Sequence, residues 1–184
     1  MKLSLRQKLR SSHVKRWHIV NVNKQQSVAE HSFNVCLISE HILDILGVDE
    51  NMTTKVIKYA LHHDIPEVVL GDVPTSVKKI LKYDDSDIND RIQKLSINMD
   101  FDSIISDSIM KNIVKLADLV DSIVFLAAHG IGRHAICVRN DIIKDTYNII
   151  SKFPKYDQII LLAWIDTVLI WDTVQDIEDV IWKE

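Results

Sequence analysis

The adjacent pair His63-Asp64 is the part of this sequence that points most directly to chemistry. A second histidine lies upstream at His31, and an isolated aspartate, Asp118, lies far downstream. Imidazole and carboxylate groups suit a borderline divalent ion such as Zn²⁺, Mn²⁺, Fe²⁺ or Co²⁺. Four protein ligands leave coordination room for water and for a substrate oxygen. The four residues therefore predict a catalytic metal site and not a sealed structural one.

Taken alone, each of these residues has a plainer interpretation. His31 follows Glu30 at the start of a predicted helix, where a histidine is commonly a hydrogen-bonded surface residue. His63-Asp64 ends another predicted helix and could be a cap. Asp118 differs because it lies in the strongly apolar stretch 113–120, and unpaired carboxylates are seldom buried. A salt bridge could supply its cation partner, but the joint presence of all four residues favours the metal.

Two more carboxylates follow the His-Asp pair. Glu67 lies three residues after Asp64, so one helical turn would place both on the same face. A carboxylate in that position can act as a general acid or base. Pro66 weakens this geometry if the helix breaks there, and Glu67 would then be an ordinary first-turn residue. Asp72 follows Gly71 and has a helix cap or loop brace as its alternative role.

The elements that must position these residues are predicted to be helical. Gly and Pro are scarce, with four and three among 184 residues, and no stretch is a convincing strand. Ser27 and Glu30 have the spacing of a capping box, so Ser27 should begin a helix. The predicted helices span about 3–10, 27–46, 53–64, a short turn over 66–70, a short one after 72–75, then 88–99, 106–128, 133–152 and 157–182. We expect an all-α, single-domain bundle over residues 1–184.

Composition excludes several classes of protein. The net charge is −4 without a basic tract, which argues against a polymeric nucleic-acid substrate. The most apolar stretch, 159–171, is interrupted by Asp166 and is shorter than a membrane span of roughly 20 residues. Cys36 and Cys137 form no CxxC motif and are expected to be reduced core thiols. We expect a cytoplasmic protein, in the host cytoplasm if the chain is viral, without a membrane partner.

The last predicted helix is apolar on a broad face. Its members are Ile160, Ala163, Thr167, Ile170 and Trp171, with Leu161, Trp164 and Val168 beside them. Core packing is the default role of such a face. The excess apolar surface, with Trp182 near the end, predicts a contact between subunits.

The motifs taken together resemble HD-domain phosphohydrolases of the small 5′-deoxynucleotidase type. The resemblance covers about residues 13–126, in the segments Arg16-Trp17, Val28-Ala29-Glu30-His31-Ser32, His63-Asp64-Ile65-Pro66-Glu67-Val68-Val69-Leu70-Gly71-Asp72-Val73-Pro74-Thr75 and Lys115-Leu116-Ala117-Asp118. A His-Asp dyad alone is a weak signal. The pattern H-D-x-x-E-x-x-x-G-D-x-P-T after an upstream E-H-S is specific.

The resemblance implies an HD-type helical bundle and a role for each motif residue. It implies metal binding by His31, His63, Asp64 and Asp118, catalysis by Glu67, and support of the site or a sugar contact by Asp72. By the same similarity, Arg16 contacts phosphate, and Trp17 contacts the deoxyribose and base. The implied reaction is metal-assisted attack of water on the phosphorus attached to O5′, and further divalent ions can accompany the phosphates.

The phosphate groups would need cations from the protein. Lys78 is nearest the motif loop, and Lys115 precedes Asp118 by one turn. Each is a candidate phosphate contact, with a solvated surface lysine as the equal alternative. Two or three such cations would suit a triphosphate better than a monophosphate.

Within the family, the chain is most similar to the small phage dATP triphosphohydrolases of genomes that replace adenine by 2-aminoadenine. The resemblance implies that Trp17, Ile19 and the residue after the Pro-Thr pair shape the purine pocket. That last residue is Ser76, where proline is expected, so selection of adenine is left open. Ile19 could equally be a core residue. Relatives of this type are homo-oligomers, which implies a dimer or hexamer.

Four functions therefore compete. The first is hydrolysis of deoxynucleoside triphosphates, most of all dATP, and its nearest alternative is a 5′-deoxynucleotidase acting on monophosphates. A catalytically inactive nucleotide-binding regulatory module is an alternative of another class. A helical structural or interaction protein without a metal is the fourth.

Overall fold

Helices are the regular elements in the part of the chain that the structure describes, residues 3–72 and 108–171 of this computed structural model. Within these ranges a 3-10 helix spans Leu9–Ser12, and the α-helices are α1 Leu5–Lys8, α2 Val28–Ile45, α3 Glu50–His62, α4 Glu67–Leu70, α5 Ser108–His129, α6 Gly132–Ile150 and α7 Lys155–Trp171. The all-α prediction is confirmed. The helices predicted over 88–99 and after 72–75 lie outside the described residues.

The starts of α2 and α3 show how well local signals locate a helix. Ser27 Oγ accepts a hydrogen bond from the backbone N–H of Glu30 at 3.2 Å, and the Glu30 carboxylate accepts from the Ser27 backbone N–H at 2.7 Å. The predicted capping box is therefore confirmed. The predicted start of α3 at residue 53 or 54 is wrong, because Asp49 caps a helix that begins at Glu50. The Asp49 carboxylate accepts from two backbone N–H groups, which is the usual role of an N-cap aspartate.

The core lies among α2, α3 and α5, and α6 and α7 complete it. Half of the residues of α5 are buried, so this helix passes through the middle of the bundle. Its fully buried side chains pack with those of the other helices, among them Val35, Ile42, Leu43, Val56, Ile113, Leu116, Ile150, Leu161 and Ile165. Each such side chain contributes about 1.5–3 kcal/mol relative to an exposed one. A polar group on α5 is consequently held in place by packing on both sides.

The buried face of α7 differs from the predicted one. Leu161 and Ile165 are fully buried, whereas Ala163 and Thr167 are exposed. The predicted centre of the apolar face was wrong because apolar residues surround this helix, which blurs the periodicity that sequence reading depends on. The side chains of residues 170, 171 and 182 lie outside the described part.

An irregular segment, residues 14–27, leads into α2, and we call it the entry loop. Its two ends are joined where Arg16 N donates to Gln26 O at 2.8 Å. Its tip is fastened to the turn after α5, where Ile131 N donates to Asn21 O at 2.8 Å. Gly130 in that turn is required because a Cβ there would lie 2.5 Å from the backbone oxygen of Leu126. The entry loop is therefore closed at its base by its own backbone and held at its tip by the turn after α5.

Two expectations about the surface can be compared with the structure. Among the described residues, no helix has the length and apolar character to cross a membrane. Cys36 is half-buried, but Cys137 is exposed on α6, so the expectation of two core thiols is wrong for Cys137. Cys137 lies on the outward side of α6, which a run of apolar neighbours in the sequence did not reveal.

Candidate active site

The four residues predicted to bind metal meet at one place. His31 comes from the first turn of α2, His63 and Asp64 from the end of α3, and Asp118 from the middle of α5. His31 Nε2 lies 3.3 Å from Asp118 Oδ1 and 3.4 Å from Asp64 Oδ2, and His63 Nε2 lies 3.4 Å from Asp64 Oδ2. Ligand atoms of His31, His63 and Asp118 all lie within 4.8 Å of one another. These three side chains could hold one metal ion, with Asp64 beside them.

The end of α3 allows two neighbours in sequence to reach the same point. Adjacent side chains on a continuous helix diverge by about 100°. Here α3 ends at His62, His63 is its C-cap, and Ile65 N donates to His62 O at 3.1 Å as the chain turns. The break in the helix lets His63 and Asp64 converge.

Both imidazole rings are oriented by a hydrogen bond at Nδ1. His31 Nδ1 lies 2.6 Å from Asp121 Oδ2, and His63 Nδ1 lies 2.6 Å from the backbone oxygen of Ala60. Because both partners are acceptors, each Nδ1 carries the proton and donates it. In the neutral rings the buried Nε2 atoms of His31 and His63 carry lone pairs, and no donor among the described residues bonds to them. Two imidazoles held in this way, with free Nε2 lone pairs beside carboxylates, fit a transition metal.

The electrostatics of the cluster also favour a cation. Burial opposes protonation of His31, but hydrogen bonds with Asp118, Asp121 and Asp64 outweigh it and raise the pKa of His31 to about 10. Burial likewise opposes ionisation of Asp118, but Lys115 and His31 hold the pKa of this carboxyl well below its usual range. The carboxylates that stabilise a proton on His31 this strongly also attract a divalent cation.

Asp121 is a site residue that the sequence pattern did not single out. It is 3% exposed, and its carboxylate accepts from His31, from Gln26 Nε2 at 2.8 Å and from Asn34 Nδ2 at 2.7 Å. The available signal was its spacing of three residues from Asp118, which puts two carboxylates on one face of an apolar helix. Gln26 and Asn34 carried no such signal, because amides are common at helix starts and on helix surfaces.

Of the two predicted nucleotide contacts, Arg16 borders the candidate metal cluster, and Trp17 follows it in the chain. The Arg16 side chain is 12% exposed, and its guanidinium lies 3.8 Å from Asp118 Oδ1 and 3.5 Å from Asp121 Oδ2. Trp17 has a φ of +70°, which is rare for a bulky residue and costs about 1–3 kcal/mol. Its ring stacks on Phe125 with centroids 5.6 Å apart and planes 3° from parallel. Packing thus holds Trp17 in a strained conformation beside the site.

The predicted acid-base residues lie in the short segment after Asp64. Glu67 is 5% exposed at the start of α4, and its backbone N–H donates to Asp64 O at 3.0 Å. Pro66 occupies the N-cap of α4, so α3 does not continue to Glu67. A tight turn separates Asp64 from Glu67 instead. Asp72 is partly buried just after Gly71, whose φ of +76° suits glycine. The backbone therefore brings Glu67 into the buried layer near the metal ligands.

Of the remaining predicted substrate contacts, one lies beside Asp118, one is exposed on the entry loop, and two lie outside the described residues. Lys115 Nζ lies 2.6 Å from Asp118 Oδ2 while half of its side chain is exposed. Ile19 is 60% exposed, so the core alternative for this residue is wrong, because it lies on the outer side of the entry loop. Ser76 and Lys78 lie outside the described residues.

Comparison with known proteins agrees with this arrangement. A family model described as "5′-deoxynucleotidase YfbR-like" matches residues 6–126. The chain is 33% identical over 141 residues to the dATP triphosphohydrolase of Acinetobacter phage SH-Ab 15497, covering 70% of this chain and 69% of that one. It is 28% identical over 185 residues to the dATP triphosphohydrolase of Salmonella phage PMBT28, covering 96% and 90%.

A solved structure supports the fold. The HD phosphohydrolase DatZ of cyanophage S-2L, bound to dA and one catalytic Zn²⁺ ion, superposes with a TM-score of 0.78 at 21% identity, covering 91% of this chain and 98% of that one. At this level of identity the match speaks for the HD helical fold alone. With the family match over residues 6–126, the cluster of His31, His63 and Asp118 has a clear context: the chain belongs to the YfbR-like family of HD-domain phosphohydrolases and is a hydrolase.

Proposed function

We propose that the protein hydrolyses dATP at the bond between O5′ and phosphorus and releases deoxyadenosine and triphosphate. The observation that carries the proposal is the convergence of His31, His63, Asp64 and Asp118 directly beside Arg16. Trp17 follows Arg16 and shares with it the hydrogen-bond acceptor Gln26 Oε1. Two relatives with this activity in their names match most of the chain, which supports the triphosphate over other substrates.

The metal would be held by His31, His63, Asp64 and Asp118. Zinc is the first choice because the DatZ structure contains it, and Mn²⁺, Co²⁺ and Fe²⁺ suit the same ligands. When bound, such an ion supplies Lewis-acid polarisation of a phosphoryl oxygen. Further divalent ions would accompany the phosphates in solution.

The charges around the site suit an anionic substrate. The Arg16 cation lies beside Asp118 and Asp121, the Lys115 cation lies beside Asp118, and the Asp64 carboxylate lies beside the two histidines. These five ionic groups together carry one net negative charge. A divalent ion would turn that into a net positive charge and so attract phosphate. Lys115 is half exposed and can turn from Asp118 to a phosphate oxygen. Lys78 is proposed as a second phosphate contact on sequence grounds.

The remaining residues would orient the reactants. Glu67 is buried one turn after Asp64, where it can hold a water molecule and accept its proton. Asp72 would support the site or contact the deoxyribose. Trp17 and Ile19, which is exposed and therefore available, would contact the purine, and Ser76 completes that pocket by resemblance.

A product assay tests the proposal. Purified protein is incubated with each of the four dNTPs and the four dNMPs in the presence of Zn²⁺, Mn²⁺ or Co²⁺, and nucleoside and phosphate products are separated by chromatography. The proposal predicts deoxyadenosine and intact triphosphate from dATP. Release of nucleoside from monophosphates only would refute it and establish the 5′-deoxynucleotidase alternative, which the description of the matching family favours.

A single variant separates an enzyme from an inactive binding module. Glu67→Gln keeps the size of the side chain and removes the proton acceptor, so turnover should fall by about 10²–10⁴-fold with nucleotide binding retained. Unchanged turnover would refute the assignment of Glu67. Elemental analysis of the purified protein tests the structural-protein alternative, which requires that no transition metal be bound.

We also propose that the protein is a single-domain homo-oligomer, a dimer or hexamer, that works in the cytoplasm. Exposed apolar side chains on α2 and α7 support assembly: Phe33 is 61% and Leu37 50% exposed one turn apart, and Tyr156 and Ile159 are 75% and 68% exposed. Light scattering coupled to gel filtration would measure the subunit number, and a monomer at all concentrations would contradict the assembly.

A further inference from the structure

Gln26 is buried between the metal ligands and the entry loop. It is 3% exposed, and its side-chain amide has partners on both sides. Oε1 accepts hydrogen bonds from Arg16 at 3.1 Å and from the indole Nε1 of Trp17 at 3.3 Å. On the other side, Nε2 donates to Asp121 Oδ2 at 2.8 Å. A single amide thus connects the predicted nucleotide contacts with the residue that orients His31.

The direction of every hydrogen bond in this chain of contacts is determined by chemistry. The Asp121 carboxylate can only accept, so Gln26 must present its NH₂ group to Asp121 and its oxygen to Arg16 and Trp17. A flipped amide would place oxygen against carboxylate oxygen and two donors against the guanidinium and indole. His31 must likewise donate from Nδ1, which leaves Nε2 for the metal. The network therefore has one arrangement in which all these groups are satisfied.

Asp121 has a second amide partner that serves as an internal comparison. Asn34 Nδ2 donates to Asp121 Oδ1 at 2.7 Å from the α2 side, and no hydrogen bond of Asn34 to Arg16 or Trp17 is described. Asn34 and Gln26 both donate a hydrogen bond to the Asp121 carboxylate, which in turn orients His31. Of these two amides, Gln26 alone also bonds to Arg16 and Trp17 in the described structure.

We infer that Gln26 and Asp121 are positioning residues that couple metal binding at His31 to nucleoside binding at Arg16 and Trp17. The inference rests on the proposed function, which supplies both ligands. A nucleoside that stacks on Trp17 restrains the indole and thereby Gln26, Asp121 and the His31 ring. A bound metal restrains the same groups from the other end, so each ligand lowers the cost of ordering the site for the other. Because coupling between two ligands is reciprocal, the metal must tighten nucleoside binding by the same factor.

The test measures this coupling factor directly. Metal-depleted protein is titrated with Mn²⁺ by calorimetry without and with saturating deoxyadenosine, and with deoxyadenosine without and with saturating Mn²⁺. In the wild type, each ligand should tighten the other by at least about fivefold. In Gln26→Met the factor should fall to about one, and Mn²⁺ affinity should fall by about 10–100-fold as is usual for groups behind a metal ligand.

Three further variants separate coupling from general loss of structure. Gln25→Met changes the exposed neighbour and should match the wild type. Asn34→Leu should weaken Mn²⁺ binding yet keep the coupling factor, because it disturbs Asp121 without touching Arg16 or Trp17. If Gln26→Met does not fold, Trp17→Phe removes the indole N–H that bonds to Gln26 together with part of the ring. Deoxyadenosine affinity should then fall, and the coupling factor, which is a ratio of affinities, should fall to about one as well.

Each result of these titrations supports or contradicts either the coupling through Gln26 or the proposed function. A coupling factor unchanged in Gln26→Met, or equally lost in Asn34→Leu, would overturn the inference. Failure of the wild type to bind deoxyadenosine at all would refute the proposed function. The Mn²⁺ affinity of Gln26→Met would then decide on positioning alone: a tenfold loss supports it, and equality with the wild type overturns it.

Discussion

Replacing Asp118 by asparagine should remove tight metal binding and leave the fold intact. The side chain keeps its shape and loses one negative charge at 3.3 Å from His31 Nε2. Among the five charged groups around the site, the net charge then rises from minus one to zero, so the attraction for a divalent ion is weakened.

The size of the effect follows from Coulomb's law. Two unit charges 4 Å apart interact by about 4 kcal/mol at an effective dielectric constant of about 20, and a divalent ion doubles this to about 8 kcal/mol. Lys115, at 2.6 Å from Asp118 Oδ2, is retained in both proteins, so its repulsion of the ion cancels in the comparison. The neutral amide oxygen of asparagine can still face the ion, and we take about half of the Coulomb attraction as the loss. A difference of about 4 kcal/mol corresponds to a loss of metal affinity of about 1,000-fold.

The chain offers a matched control for this variant. Asp141 also pairs with a lysine three residues away, Lys144, at 2.8 Å, but both side chains are more than 70% exposed. Asp141→Asn should therefore leave metal affinity unchanged. Both variants are titrated with Zn²⁺ in competition with a chromophoric chelator, and both are melted without metal.

The melting experiment separates metal binding from folding. Loss of the half-exposed pair between Asp118 and Lys115 costs at most about 1 kcal/mol, and loss of the buried contact with protonated His31 adds about 1.5–3 kcal/mol. The metal-free melting temperature should therefore fall by about 5–15 °C, with unfolding still cooperative. Zinc affinity of Asp118→Asn within threefold of the wild type would refute the assignment of Asp118 as a ligand.

Three further predictions concern pH, packing and thiol chemistry. In metal-free protein the pKa of His31 is raised from 6.5 to about 10, so the stability that its protonation provides is complete below pH 6.5 and lost as the pH rises through 10. The free energy of unfolding in urea should therefore be lower at pH 9.5 than at pH 6.5, and equal values would contradict this. Gly130→Ala puts a Cβ 2.5 Å from the Leu126 oxygen and should lower the free energy of unfolding by about 1–3 kcal/mol, whereas a melting temperature equal to the wild type would show that the turn can shift at no cost. Burial raises the pKa of the Cys36 thiol to about 11, so a disulfide reagent at pH 8 should modify the exposed Cys137 quickly and Cys36 slowly, and two equally fast thiols would be the contrary result.

Local sequence signals predicted the helices where the signal was chemical. The Ser27 capping box located the start of α2 because both of its hydrogen bonds form within one turn. Asp49 is an equally local signal for the start of α3, upstream of the predicted start at residue 53 or 54. For α7, apolar residues on all sides left the buried face undetermined, and only packing against the core selected Leu161 and Ile165.

The cluster of His31, His63, Asp64 and Asp118 was predictable because the types and motif spacing of these residues carry chemistry. The same reading missed Asp121 and Gln26, since a buried aspartate and a glutamine have no distinctive sequence context. Their importance arises from partners 90 and 95 residues apart, His31 with Asp121 and Gln26 with Asp121. Contacts at such separations depend on how helices pack.

The sequence by itself determined the helical class, the ligand types and the family, because these depend on residue identity and short spacing. The tertiary structure decided which atoms meet. Only the packing of α5 against α2 brings Asp121 to His31, and only the fastened entry loop holds Trp17 at a φ of +70° beside Gln26. Hydrogen bonds reach about 3 Å, so a site assembled from four chain segments exists only after the fold has brought them together.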